Sequence, residues 1–405
     1  MNHAFRLICL LLALLCPACR GNAPNQAARP VPGVDDHRII LGSSLALSGH
    51  AGYLGTQTLR GAMAYIRHVN ETGGVHGRRI DVRAYDDAYD PPVCLANTQR
   101  LIVDDDVFAL FCYVGTPTTV KVLPMIDTAG IPLLGMFTGA NALRTPYNKN
   151  LINVRASYYE ETGAAVRHLV EDLGLRRIAV FYQYDAFGFD GLTGTELALK
   201  KYGLEPVARG SFIRGTLDIG EGFERIRRSD ADAVVMIGTY EPCALFIHKA
   251  GERKFHPLFY TVSFVGAREL ARRLDGGQTV IMSQVVPPPD GPDAERVLGD
   301  AGDYIRLLHQ YWPEETPNFV GLEGYVNARI LVEGLRRAGR DLTREGFIRA
   351  VRTIHNYVIG PDIVVSFDDR DNQGMDRVFF TRLENDRFAL LRDWKKLREH
   401  LERAP

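Results

Sequence analysis

From residue 38 the chain alternates two kinds of hydrophobic pattern. Short continuous apolar runs, such as "RIILGSSLALS", "VFALFCYVG" and "IPLLGMF", read as buried strands. Between them lie longer stretches whose apolar positions recur every three or four residues. In "TLRGAMAYIRHVNETGG", Leu59, Met63, Ile66 and Val69 follow that spacing and Gly73-Gly74 ends it. The order is strand, helix, strand: "RRIDVRAYDD", "PPVCLANTQRLIVDD", "VFALFCYVG", "TTVKVLPMIDTAG", "IPLLGMF". That rhythm predicts a parallel sheet with helices on both faces. It restarts near residue 158 with "EETGAAVRHLVEDLGL", "RRIAVFYQY" and "DGLTGTELALKKYGL", and continues through "ADAVVMIGT" and "PLFYTVS". Two α/β units of similar size imply two lobes. A long amphipathic helix, "NFVGLEGYVNARILVEGLRRAG", and a hairpin-like pair, "IVVSFDDRDNQG" and "RVFFTRLENDRFALL", follow.

The N-terminus breaks the pattern. Arg6 precedes an unbroken apolar run from Leu7 to Leu15, too short to span a bilayer, and small residues follow. Residues 1–18 read as a signal peptide and 19–37 as a flexible tether. "CPAC" at 16–19 resembles a bacterial lipoprotein cleavage box with Cys19 as the lipidated residue; ordinary cleavage after Ala23 is the alternative. The expected location is periplasmic or extracytoplasmic, with a lipid anchor if Cys19 is acylated.

Charge and motifs narrow the function. The 405 residues are 46% hydrophobic and 24% charged, with a formal net charge of −1, which argues against a nucleic-acid binder. The sequence holds no Gly-x-Ser-x-Gly elbow, no phosphate-binding Gly-rich loop with Lys, and no His-x-x-x-His pair. No catalytic residue, metal or cofactor is expected, and a secreted hydrolase is the reading these motifs support least.

Four stretches in register carry a family resemblance. "LALSGHAGYLGTQTLRGAMAYIRHVNETGGVHGRRIDVRAYDDAYDPP", "YVGTPTT" with "FTGANALR" and "NVRASYYEE", "FYQYDAFGFDG", and "GLEGYVNARILVEGL" together resemble the periplasmic Leu/Ile/Val-binding proteins of bacterial ABC transporters. The resemblance spans about residues 38–385. It implies a type I periplasmic binding protein, or Venus-flytrap, architecture: two Rossmann-like lobes joined by three crossings near residues 155, 283 and 358. Lobe 1 would hold 38–154 and 283–358, lobe 2 155–282 and 359–390, and 391–405 would form a helical tail. It also implies a monomeric receptor that closes on a small amino acid, carboxylate or amide and delivers it to an ABC permease. A sensor of the same fold reporting to a signalling partner is the alternative.

In open α/β sheets ligands sit beyond the C-terminal strand ends, where helix N-termini offer free amides. Those positions hold Ser48 to Tyr53, Tyr113 to Thr118, and Phe137, Thr138 and Gly139 in the first lobe. Thr116, Thr118 and Thr138, with Gly139, are the expected carboxylate donors, helix capping being the competing role for Thr118. In the second lobe Tyr184, Phe187, Tyr240, Glu241 and Phe264, with Tyr158 near the first crossing, are expected to pack the ligand body. The loop "YTVSFVGA" holds Ser263 and Phe264 where amino-acid-binding relatives carry an acid for the ligand ammonium. Cys94 and Cys112 fall at the same sheet edge when helix and strand lengths are traced, so a disulfide is expected, two buried thiols being the alternative. Cys243 reads as unpaired core.

Overall fold

The computed structural model describes residues 31–291, 294, 298–368 and 371–403. The signal peptide, the lipidation at Cys19 and the first part of the tether lie outside the described residues. The first α/β unit runs β1 (Arg38–Leu45), α1 (Gly52–Glu71), β2 (Arg79–Asp86), α2 (Pro91–Val103), β3 (Ala109–Phe111), α3 (Thr116–Ala129), β4 (Leu133–Leu134) and β5 (Leu151–Ile152). Its five strands are parallel in the order β2-β1-β3-β4-β5. The second unit runs α4 (Tyr158–Arg167), β6 (Ile178–Gln183), α5 (Ala186–Lys200), β7 (Arg209–Phe212), α6 (Gly220–Arg227), β8 (Ala233–Ile237), α7 (Tyr240–Glu252), β9 (Leu258–Thr261), α8 (Ala267–Ala271) and β10 (Val280–Gln284). Its parallel strands repeat the same order, β7-β6-β8-β9-β10. The two sheets are therefore copies of one topology, and each reverses strand order at its own first strand.

The remaining elements complete both units. They are α9 (Asp303–Tyr311), α10 (Phe319–Ala338), α11 (Arg344–Arg352), the small ribbon β11 (Tyr357–Gly360) with β12 (Ile363–Val365), then β13 (Phe379–Glu384), β14 (Arg387–Leu390) and α12 (Trp394–Arg403). β13 adds antiparallel to β10 and β14 to β13, so the second sheet has seven strands. The β13–β14 turn places Asn385 and Asp386 both at positive φ, the geometry that suits a two-residue hairpin and these residue types. At the tail Trp394 stacks on His168 with centroids 4.0 Å apart and planes 6° apart.

Helix α10 covers the first sheet against α1. Asn318 caps it by accepting from the Gly321 amide at 2.9 Å, and Gly339 ends it at φ 80°. The two helices touch backbone to backbone. A Cβ on Gly61 would collide with the Gly321 carbonyl, and one on Gly324 with the Thr58 carbonyl. Across the sheet, Asn327 Nδ2 donates to the Gly135 carbonyl at 2.9 Å.

The expected disulfide does not form: Cys94, Cys112 and Cys243 are free and buried. The edge assignment left out the faces. Tyr113 turns to α2, where its hydroxyl meets Thr98 Oγ1 at 2.9 Å, so its neighbour Cys112 turns to the opposite face and lies 3.7 Å from Asn327 Nδ2. Cys94, on α2, is on the Tyr113 side.

The first crossing carries a buried charge cluster. Arg155, 2% exposed, extends one nitrogen to Glu161 Oε1 at 2.9 Å and another to within 3.2 Å of Glu323 Oε2. Glu161 stands on α4 and Glu323 on α10, so one guanidinium joins the second unit to the helix over the first. Glu161 also accepts from the Ser263 amide at 2.8 Å, the Ser263 hydroxyl at 2.9 Å and the Ser283 hydroxyl. Arg144 backs the crossing by donating to the Ala140 and Arg155 carbonyls, each at 2.9 Å, and to Gln373. Burial pushes the Glu323 carboxyl up to about 7, outweighing the pull of Arg155, while the Glu161 charge pushes the same way.

Two outcomes follow from this packing. Gly61→Val forces α1 from α10 and is expected to cost about 2–3 kcal/mol, read as a lower urea midpoint. The folded protein holds the Glu323 proton between pH 4.5 and about 7, where the unfolded chain releases it. Stability of the natural protein therefore falls as pH rises through that window. Glu323→Gln lacks the proton and should gain on it steadily in melting midpoint; parallel profiles would contradict the assignment.

Candidate functional site

Both sheets direct their C-terminal strand ends to one junction, and the polar residues of the first unit arrive there through short loops. Gly115 precedes α3 at φ 100°, a conformation and a position that exclude a side chain, because a Cβ would strike the Tyr89 ring. With Gly115 as N-cap, α3 has no side-chain cap on its first turn. Thr116 Oγ1 lies 2.7 Å from Thr138 Oγ1, and both are buried. The Gly139 carbonyl accepts from the Tyr158 amide at 2.7 Å, which packs the start of α4 against the loop after β4. The second unit meets this wall with rings. Phe264 lies 5.5 Å from Phe137, 5.9 Å from Tyr89 and 4.6 Å from Phe187; Tyr158 lies 5.2 Å from Phe187. Tyr53 and Tyr240 meet edge to face at 6.3 Å.

Several polar atoms buried at this junction lack a well-formed hydrogen bond: the hydroxyls of Tyr53, Tyr89 and Tyr158, His50 Nε2 and Gln183 Oε1, with Tyr89 facing Gln183 and Tyr158 facing Thr138. A buried polar group without a hydrogen bond is costly, so such a cluster marks a place that a solute can complete. Burial pushes the Tyr53, Tyr89 and Tyr158 phenols above their ordinary range, so they remain donors at neutral pH. Burial, then the nearby Arg214 charge, holds His50 below its ordinary range, so its ring is neutral. Arg155 lies 5.1 Å from the Phe137 ring centre and Arg214 lies 5.7 Å from that of Tyr89, placing two cations behind the aromatic wall.

The structure brings together Tyr53, Thr116, Phe137, Thr138, Gly139, Tyr158, Phe187, Tyr240 and Phe264 from the sequence-based set. Five others go elsewhere. Ser48 is exposed and donates to Asp86, which also accepts from the amides of Leu47 and Ala88 and thereby ties two loops. Tyr113 faces α2, as described. Thr118 Oγ1 returns to the carbonyls of Val114 at 2.6 Å and Gly115 at 3.0 Å, a local bond that competes with any ligand. Tyr184, one residue past β6, is 60% exposed and packs edge to face on Phe189 at 5.0 Å. Glu241 pairs with Arg273 at 3.2 Å. The sequence reading missed His50, Tyr89, Arg155, Gln183 and Arg214. Two of these carry a local signal: Arg155 is a lone cation in the run "INVRASYY", and Tyr89 immediately precedes Asp-Pro-Pro in a loop that needs a left-handed residue. Among the described residues, no group of three or more His, Cys, Asp or Glu is placed to hold a metal, and no helix is long and apolar enough to cross a membrane.

Comparison with known proteins agrees with this geometry. The periplasmic binding protein family matches residues 39–387. Leu/Ile/Val-binding protein homolog 7 of Brucella abortus is 24% identical over 323 residues, 74% of this chain and 77% of that protein. The crystal structure of a possible leucine/isoleucine/valine-binding protein from Rhodopirellula baltica superposes with a TM-score of 0.83 at 32% identity, covering 91% of this chain and 99% of that one. LivJ of Streptococcus pneumoniae, solved with isoleucine, shares the fold at 17% identity and a TM-score of 0.73, over 87% of this chain and 97% of that one. With its paired sheets of one topology and a match across nearly all of its described length, the chain belongs to the periplasmic binding proteins, a family of extracytoplasmic solute receptors.

Proposed function

We propose that the protein is the exported solute receptor of an ABC transporter. Its two lobes close on a small amino acid or a related carboxylate or amide and deliver it to a membrane permease. Residues 38–154 with 283–358, and 155–282 with 359–390, are the moving bodies, hinged at the three crossings. The observation that carries this reading is the set of buried hydroxyls of Tyr89 and Tyr158, neither in a well-formed hydrogen bond, beside the uncapped start of α3, with Phe187 and Phe264 opposite. Closure would exclude water from these donors and strengthen their hold on a polar group. It would also bring surfaces of both lobes into one face that a permease can read. The leader and Cys19 would place the receptor at the outer side of the cytoplasmic membrane.

Thr116 and Thr138 give a clean test, because each is the other's hydrogen-bond partner. Replacing both with valine removes that donor and acceptor together, and the Ala140 amide loses only a long 3.3 Å bond to Thr138 Oγ1, so the fold should persist with a ligand-free midpoint within a few degrees. A thermal-shift panel of amino acids, small carboxylates and amides should include solutes that raise the midpoint of the natural protein, through a stabilisation of about 2.7 kcal/mol at a hundredfold excess over Kd. The double variant should lose that shift. A variant that binds normally would refute the assignment of this wall to the ligand.

A further inference from the structure

We propose that the solute is an aromatic or similarly flat apolar monocarboxylate that carries no α-ammonium. This rests on the receptor reading and narrows its ligand. The first observation concerns charge. An ammonium sealed between two lobes needs a carboxylate, since an unpaired buried charge costs several kcal/mol. The carboxylates on the elements that meet at the junction are engaged, apart from one oxygen of Asp190. Glu161 accepts four bonds, from Arg155, from the Ser263 amide and hydroxyl, and from Ser283. A carboxylate has about four lone-pair positions, so it is saturated. Glu323 faces Arg155. Asp185 caps α5 through the Phe187 amide at 3.0 Å, accepts from Gln183 at 2.7 Å and pairs with Arg214 at 3.2 Å. Glu241 and Glu269 share Arg273. Asp190 accepts from the Asn141 amide at 2.9 Å and keeps one oxygen without a partner, but it stands a turn beyond Phe187 on α5, at the Asn141 backbone.

The second observation concerns donors. The free groups are of the opposite kind: the uncapped amides of α3, the Thr116–Thr138 pair, and the Tyr89 and Tyr158 hydroxyls, each on a side chain no more than 1% exposed. A helix N-terminus with phenol donors suits an anion. The third observation concerns the body of the solute. The Phe264 ring packs on Phe137 at 5.5 Å and on Phe187 at 4.6 Å, so parting of the lobes would free apolar ring faces on both sides for a planar ring to cover.

The test is calorimetric titration of the exported protein with benzoate, phenylacetate and 3-phenylpropanoate, against L-phenylalanine, L-leucine and phenylacetamide. At least one of the three acids should bind tenfold or more tightly than every zwitterion and the amide. Tyr158→Phe should weaken that acid by tenfold or more, with a ligand-free melting midpoint within a few degrees of the natural protein. Equal or tighter binding of L-phenylalanine or L-leucine would overturn the ligand class and leave the receptor reading intact. If Asp190→Asn then removed that binding, Asp190 would be the missing ammonium partner. Binding of phenylacetamide as tight as the acid would overturn the role given to charge. Failure of all six to bind would overturn this inference; the receptor reading would fall only if the wider thermal-shift panel also gave no stabilising solute.

Discussion

Arg155 is the constraint on which the arrangement depends. It sits where the chain first passes from one sheet to the other and is almost fully removed from water. A guanidinium in that position must be neutralised, and its two partners come from different units, Glu161 from α4 and Glu323 from α10. Glu161 carries the charge that balances the guanidinium, and Glu323 meets its other side, so one side chain joins the two units at the crossing. Glu161 then fixes Ser263, the residue before Phe264, through both its amide and its hydroxyl. The ring that reaches across the junction is thus positioned by the same carboxylate that holds the crossing. Phe137 lies against the Arg155 guanidinium on the other side. Crossing and junction are one connected set of contacts.

The junction itself divides its labour by unit. The first lobe supplies hydroxyls, an uncapped helix start and a glycine that lets the Tyr89 ring approach. The second supplies Phe187, Phe264 and Tyr240, packed at strand ends that correspond through the repeated strand order. Duplicate topology explains the opposition. Each sheet reverses direction at its first strand, so each opens a crevice there, and joining the two places the crevices mouth to mouth.

Much of this was legible in the chain. The alternation of apolar runs and helical periods predicts both α/β units, and long strands such as β1 and β6 fall where the pattern puts them. Strand-end position also singled out Thr116, Thr138, Phe187 and Phe264, which the structure gathers at the junction. What the pattern does not contain is side-chain direction. Tyr113 and Cys112 differ by one residue and face opposite sides, so an edge assignment could predict neither the Tyr113–Thr98 bond nor the separation of Cys112 from Cys94. Thr118 and Ser48 found partners within their own loops, a competition that spacing alone cannot decide. Arg155 matters because of contacts between distant segments, and a single sequence carries no trace of a contact 108 or 168 positions away, as from Arg155 to Ser263 and Glu323.

The central claim is that two lobes close on a solute held at this junction. Small-angle X-ray scattering during titration tests it most directly. Any solute that raises the melting midpoint should also contract the radius of gyration, in step with its saturation. A solute that binds stoichiometrically and leaves the radius unchanged would contradict closure and, with it, the account of the junction as a shared grip.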